Sequence, residues 1–345
     1  MAKTGKQDGL NVAANQRPTL KTIASMAGLS VPTVSRALSD APDIGKSTKA
    51  RVRAIAQEIG YRPNRAGLRL RTGKTNVIAL VLRTDNDVMN HNTARLITSI
   101  ASELRATPYH MIVIPYFPDE SPLNPVKYVV QTRSADGVIL NRIQPDDERV
   151  RYLRENGCPF ATHGRTQDCA NEPYFDFDNH VFGTECVTQL VAKDRRNILV
   201  LAPPMDQNYA RHLMAGCRET AARLGATITT LTGANSDSSV EDIQAAIQKQ
   251  VRADPTIDGI IAPAVQAAFA AAVALEGLGR ELGKNCDLAA KEAIPFLNAF
   301  RNEIIVVSED VAKAGAFLAR AVVQAIEHPD RPPLQGLDAP GSRSG

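Results

Sequence analysis

The side chains best suited to chemistry in this 345-residue chain are cations on short segments, not paired acids or metal ligands. Arg36 lies in the segment VPTVSRAL, next to Thr33 and Ser35. A guanidinium on the outward face of a helix can bond guanine O6 and N7 together, and small hydroxyls suit phosphate oxygens. A second basic group, Arg62, Arg65, Arg69, Arg71 and Lys74, crowds the segment 62–75. Arg165 ends the apolar run CPFATHGR. It can clamp hydroxyls or a carboxylate, or sit in a surface ion pair. Signatures of catalysis are missing: no GxGxxG after a strand, no GxxxxGK[ST] and no GxSxG. The six histidines show no HExxH or other metal spacing, so neither a metal nor a cofactor is expected. The five cysteines are odd in number, scattered and free of CxxC pairs, which predicts reduced thiols in a cytoplasm.

These residues need elements to hold them. With 43% apolar and 22% charged residues, the chain reads as an ordinary globular protein with enough length for two or three domains. No apolar run reaches a membrane span, and the start MAKTGKQDGLNVAANQRP has no apolar core of a secretory signal. The net charge of +3 conceals an asymmetry. Residues 1–75 hold 14 Lys and Arg against 4 Asp and Glu, and the rest hold 26 against 33. A basic head on a mildly acidic body predicts a polyanionic partner for the head.

The head is patterned, not a disordered tail. After a polar arm, 1–16, Thr19 is placed to cap a helix carrying Leu20, Ile23, Ala24 and Ala27 on one face. Gly28 ends it and Leu29 is the apolar turn residue. Ser30 caps a second helix with Pro32 in its first turn and Val34 and Leu38 facing inward. Ser47 is expected to cap a third, which carries Val52, Ile55, Ala56 and Ile59 and closes at Gly60. This order is that of a helix-turn-helix, whose second helix enters the major groove. Its outward residues are Val31, Pro32, Thr33, Ser35 and Arg36.

The residues TLKTIASMAGLSVPTVSRAL, IGYRPN and LRTGKTN, spanning Arg17 to Asn76, resemble the amino terminus of the LacI/GalR family of bacterial transcription regulators. The resemblance implies a DNA-facing set of Thr19, Leu20, Ser30, Val31, Pro32, Thr33, Ser35, Arg36 and Tyr61. It also implies a hinge at 63–75 that becomes helical on the operator, with Asn64, Arg65 and Gly67 near DNA and Leu70 as an apolar wedge in the minor groove. Gly67 and Leu68 depart from the family, which usually has Ala and a polar residue there. Alone, so short a segment is below the length of a stable helix.

From Asn76 onward, short β-rich runs alternate with amphipathic helices, from VIALVL at 77–82 to AKAGAFLARAVVQAIE near the end. Such alternation predicts parallel doubly wound sheets, and its length predicts two lobes. The resemblance implies a periplasmic-binding-protein-like body over 76–345. Lobe 1 is expected at about 76–176 plus 309–330, and lobe 2 at about 177–308 plus 331–345. Ligands of such folds sit at the carboxyl ends of strands, in the cleft between lobes. The effector set expected there is Arg165, Asp178, Arg211, Lys291 and Glu292. Asp178 is equally placed to cap a helix. Arg211 would replace the arginine that the family has where this chain has Leu213, and Val265 stands where the family has Asp or Asn. Lys291-Glu292 matches a family acidic pair only in part. The cations in this set leave a sugar acid or phosphorylated sugar open beside a neutral sugar.

The sequence therefore predicts an all-α helix-turn-helix head on a two-lobed α/β body. The function expected is that of a cytoplasmic, nucleoid-associated repressor of carbohydrate-utilisation genes. Its expected partners are palindromic double-stranded DNA, a sugar-like effector and a second copy of itself. The competing class is a solute-binding or enzymatic α/β protein with an incidental basic start. The tail HPDRPPLQGLDAPGSRSG has no heptads, so a tetramerising coiled coil is not expected.

Overall fold

The computed structural model describes residues 18–61, 73–84, 91–293 and 295–340, which fall in two compact units, one up to Thr75 and one from Asn76. The hinge residues Asn64, Arg65, Gly67, Leu68 and Leu70 and the arm 1–16 lie outside the described residues.

The first unit has three helices, α1 (Leu20–Ala27), α2 (Val31–Leu38) and α3 (Lys46–Glu58). Thr19 caps α1 in a reciprocal box with Thr22, and Ser30 Oγ accepts from the Thr33 amide at 3.3 Å to cap α2. Gly28 turns the chain between them at φ 62°, a left-handed position that glycine adopts without steric cost. Ile23, Ala27, Val34, Ala37 and Val52 are fully shielded, and Leu20, Leu38, Ile44 and Tyr61 pack around them. The expected cap at Ser47 is incorrect. α3 starts two residues earlier than that cap would give, with Gly45 as its cap and no side-chain bond. Arg51 on α3 donates to the Ala27 carbonyl, satisfying an end of α1 that would otherwise lack a donor.

The second unit is built on two parallel sheets. Its strands and helices run β1 (Val77–Arg83), α4 (His91–Leu104), β2 (His110–Tyr116), α5 (Leu123–Thr132), β3 (Gly137–Asn141), α6 (Glu148–Glu155), β4 (Phe160–His163) and β5 (Tyr174–Phe177). They continue with α7 (Asn179–Ala192), β6 (Asn197–Val200), α8 (Asn208–Leu224), β7 (Thr227–Thr230), α9 (Val240–Ala253) and β8 (Gly259–Ala262). The last are α10 (Val265–Glu276), β9 (Asp287–Glu292), α11 (Leu297–Phe300), β10 (Ile305–Ser308), α12 (Val311–Glu327) and β11 (Gln335–Asp338). Strand order is β11-β5-β4-β3-β1-β2 in one sheet and β10-β9-β8-β6-β7 in the other. The chain crosses between lobes after β5 and again after β10, where α12 returns to pack on α4, β3 and β4.

Residues 335–338 correct the expected lobe boundary. They extend the first sheet, with Gln335 opposite Tyr174 and Asp338 opposite Phe177, instead of joining lobe 2. Helices α7 and α8 of the second lobe cross closely through glycine. A Cβ on Gly216 would meet the His180 carbonyl oxygen at 2.1 Å, and one on Gly183 the Leu213 oxygen at 2.6 Å.

Candidate functional site

On α2, Val31, Pro32 and Arg36 are exposed, and Thr33 and Ser35 are half-buried. The Arg36 guanidinium is not unattached: its Nη2 lies 2.6 Å from Asp43 Oδ2 in the turn after α2. Thr33 Oγ1 lies 2.8 Å from Ser30 Oγ, so both hydroxyls already take part in the cap. Leu20 and Tyr61 pack against the head core, where burial pushes the Tyr61 phenol up. Their contribution to any DNA surface is therefore partial. Met26, which the sequence reading did not single out, is about half exposed on α1.

In the second unit, a cavity of about 480 Å³ opens between the lobes at the carboxyl ends of the strands. Its wall joins Asn141 at the end of β3, His163 at the end of β4 and Arg165 after it, Asp176 in β5, Lys291 in β9 and Glu309 after β10. Sheet register explains the meeting of residues distant in sequence. His163 sits opposite Phe175, and the Gly164 amide donates to the Phe175 carbonyl at 2.8 Å, which brings Arg165 beside Asp176. Lys291 sits opposite Val307, and the Glu309 amide donates to the Glu292 carbonyl at 2.9 Å, which brings Glu309 beside Lys291.

The charges in this wall come as pairs. Arg165 Nε is 3.1 Å from Asp176 Oδ2, an ion pair without hydrogen-bond alignment. Lys291 Nζ is 2.8 Å from Glu309 Oε2, 3.3 Å from Asn179 Oδ1 and 4.8 Å from the centre of the Phe177 ring. Arg142 pairs with Asp237 across the cleft. Burial pushes the Asp176 carboxyl up to about 7, against the pull of Arg165 and Lys291. Burial also pushes on Glu309, but Lys291 and His163 outweigh it and leave that carboxyl below the ordinary range. Burial lowers His163, favouring the neutral ring. It raises Tyr209, which keeps its hydroxyl as a donor.

One acceptor is left over. Asn141 Oδ1 is buried on the cavity wall with no hydrogen-bond partner among the described residues, a state that costs free energy unless a ligand or water supplies a donor. Direct bonds tie the lobes around the cavity. The Asn208 amide donates to the Ile143 carbonyl at 2.9 Å, and Asn208 Nδ2 donates to the Arg165 carbonyl at 2.8 Å.

Of the effector residues expected from sequence, the structure brings Arg165 and Lys291 to this wall and leaves three elsewhere. Asp178 caps α7, accepting from the His180 and Val181 amides at 3.1 Å. Glu292 is buried and accepts from the Phe296 and Leu297 amides at 3.0 and 2.8 Å, holding the turn into α11. Arg211 is exposed on α8, two residues past the cavity residue Tyr209, and a two-residue step on a helix points to the opposite side. Leu213 is fully buried in the core. Gln266, next to Val265, lines the cavity. The residues not anticipated were Asn141, Arg142, Tyr209, Asp237 and Glu309, and His163 and Asp176, though beside expected residues, were not assigned to the site. Most stand at or just past a strand end, the signal that could have found them. Among the described residues no group of acids, histidines and cysteines could hold a metal ion. No helix there is long and apolar enough to cross a membrane.

Two family models match this chain. Residues 19–64 match bacterial regulatory proteins of the lacI family, and residues 75–302 match the periplasmic binding proteins and sugar binding domain of the LacI family. The chain belongs to the LacI family of bacterial regulatory proteins. It is a helix-turn-helix, DNA-binding transcriptional regulator and not an enzyme, which removes the solute-binding or enzymatic alternative. The HTH-type transcriptional regulator RafR of Escherichia coli is 35% identical over 193 residues, 55% of this chain and 57% of that protein. The chain is thus matched over little more than half the length of RafR. A CelR–cellobiose complex is similar in structure, with TM-score 0.68 and 22% identity over 94% of this chain and 98% of that one. So is a lac repressor dimer bound to operator and the anti-inducer ONPF, with TM-score 0.80 and 18% identity over 94% and 97%. These two likenesses bear on the fold.

Proposed function

We propose that this LacI-family regulator is a homodimeric, cytoplasmic repressor of carbohydrate-utilisation genes, released from or held on its operator by a neutral sugar in the interlobe cavity. The observation that carries the sugar reading is the cavity itself. Its volume of about 480 Å³ suits a small oligosaccharide, and its wall combines paired charges, the orphan Asn141 Oδ1 and the Tyr209 hydroxyl. Planar polar groups that both donate and accept match vicinal hydroxyls. Arg142 and Lys291 each face a carboxylate already, which supports a neutral ligand over a sugar acid or phosphate. The name of the CelR complex, which holds cellobiose, points the same way.

In this reading residues 17–62 are the DNA-binding domain, 63–75 the hinge and 76–345 the effector-binding and dimerisation body. Arg36 reads a guanine, Val31, Pro32, Thr33 and Ser35 sit against the groove, and Leu70 wedges into the minor groove. Asn141, Arg165, Asp176 and Lys291 hold the sugar. Coupling is reciprocal, so DNA and sugar change each other's affinity by one factor.

The experiment is a gel shift with the gene's own upstream DNA, with neutral oligosaccharides, sugar acids and sugar phosphates added in turn. A shift that a neutral oligosaccharide alone changes supports the reading. Release by a sugar phosphate or sugar acid alone refutes the neutral class, and no shift of upstream DNA refutes the operator.

A further inference from the structure

We infer that Asp43 is a positioning residue for Arg36 and sets how strongly the head prefers its operator over other DNA. The inference rests on the reading of α2 as the element that enters the major groove. Asp43 lies beyond α2, in the turn that leads to α3, yet its carboxylate returns to the Arg36 guanidinium at 2.6 Å. The turn that carries it is well fixed. The Ala41 amide donates to the Arg36 carbonyl at 3.0 Å, and the Ile44 amide to the Ala41 carbonyl at 3.2 Å. Asp40 stands in the left-handed region at φ 60°. Its carboxylate reaches Lys49 at 3.1 Å and Arg53 at 2.8 Å on α3. Ile44 packs against the head core. Asp43 is thus presented from an anchored loop, and its partner is the groove cation instead of a support on α3.

A carboxylate on a DNA-facing surface is repelled by phosphates. Here its charge is set against one specific side chain. The guanidinium carries five donors in a rigid fork, so an acid on Nη2 leaves other N–H groups for guanine O6 and N7. Holding the fork before contact removes rotamer freedom that Arg36 would otherwise lose on binding. It also stops Arg36, whose side chain is 59% exposed, from turning to the nearest phosphate on any sequence. The pair contributes little to the stability of the free head, because exposed ion pairs are screened and cost side-chain entropy. Its effect belongs to the complex. Sequence-independent affinity should be lower with Asp43 present, and discrimination at the base pair under Arg36 should be higher.

The test is a double-mutant cycle on the full-length protein with Asp43→Asn, Arg36→Ala and the combination. Each is titrated at one salt concentration against an operator selected from a random duplex pool, its single base-pair variants, and an unrelated duplex of equal length. Asp43→Asn is expected to cut the preference for operator over unrelated duplex roughly 5–10-fold, within the range of coupling between contacting residues. Most of that change should come from tighter binding of the unrelated duplex. Discrimination should collapse at one base pair only, and Asp43→Glu should restore part of it. In the Arg36→Ala background, Asp43→Asn should leave the preference unchanged. An equal gain on both duplexes, no change in preference, or the same change without Arg36 would overturn the inference by making Asp43 a plain surface charge. If the wild-type protein selects no sequence at all, the DNA-reading role of α2 falls and this inference with it. If it selects one and the cycle is additive, only the role of Asp43 falls.

Discussion

Charged side chains occupy opposite settings in the two units. In the head, the Arg36–Asp43 pair leaves 59% and 46% of its side chains exposed, whereas in the body Lys291 and Glu309 are only 11% and 10% exposed. The head core is small, built from Ile23, Val34, Val52 and a few alanines, so most of its cations have no interior to enter. The body has deep apolar layers on both faces of each sheet, and charges at its strand ends are carried inward with them. An exposed charge is hydrated, screened and available to a polyanion. A buried charge must be matched within the fold, which makes it a fixed part of a cavity. The same residue types therefore make a docking surface in one unit and a preformed receptor in the other.

The sharpest way to break this contrast is to remove one partner from each kind of pair. Lys291→Met leaves Glu309 buried beside His163 and should destabilise the body by about 3–5 kcal/mol, the usual effect of an uncompensated buried charge. Replacing Glu309 with Leu in addition should recover much of the loss. Urea unfolding of the three proteins measures this, and a loss under about 1 kcal/mol for the single variant would mean that the pair is solvated like a surface bridge.

The second prediction is the counterpart in the head. Arg36→Ala should barely alter folding, yet weaken operator binding by about 1–3 kcal/mol and relax preference at one base position. Titration of wild type and variant against operator and its base-pair variants checks it. Unchanged affinity and preference would remove Arg36 from the reading surface.

The contrast also explains what could be read from the sequence. The head is written locally. Thr19, Gly28 and Ser30 act within one helical turn of their own positions, so caps, turn and outward face of α2 follow from spacing alone. Ser47 failed because Gly45 can start a helix with no side-chain signal. In the body, most strands and helices were legible from alternation and periodicity, four-residue strands such as Asn197–Val200 among them. Tyr174–Phe177 and Gln335–Asp338 were not, because only their place beside a neighbour makes them strands. The cavity was legible as a location but not as a residue set. Glu292 looked like a ligand by type, and its carboxylate is taken up by nearby amides, while of the two roles open to Asp178 the structure shows the helix cap. Asp176 and Glu309 became partners of Arg165 and Lys291 through sheet register, which no local spacing encodes.

The third prediction uses acidity to sharpen the same distinction. Asp176 has an ordinary carboxyl value of 3.8 when unfolded and about 7 when buried in the cavity wall. The folded state thus holds a proton that the unfolded state has released. The stability this contributes is complete below about pH 4 and is lost as pH rises through about 7, with a slope of at most about 1.4 kcal/mol per pH unit. Asp176→Asn has no proton to lose, so it should lack this decline. Urea midpoints at pH 5.5, 6.5 and 7.5 compare the two. Parallel curves would show that Asp176 does not keep its proton in the fold.

The smallest effect expected is at the cap of α2. Ser30 Oγ accepts from the Thr33 amide and lies 2.8 Å from the Thr33 hydroxyl, so Ser30→Ala removes both contacts and should cost about 1 kcal/mol of head stability. Because the cap is local, sugar binding by the body should not change. Ser30→Asp separates stability from recognition. An aspartate at this position can still cap, and its charge favours the amino end of the helix by about 0.3–1 kcal/mol. The same charge faces the phosphates if α2 enters the groove, so DNA affinity should fall while head stability holds or rises. Near-UV melting of the head's transition and DNA titration at low salt give the two signs. If Ser30→Asp binds DNA as tightly as wild type, the amino end of α2 does not approach the phosphate backbone, and the exposed charges of the head meet their partner through another face.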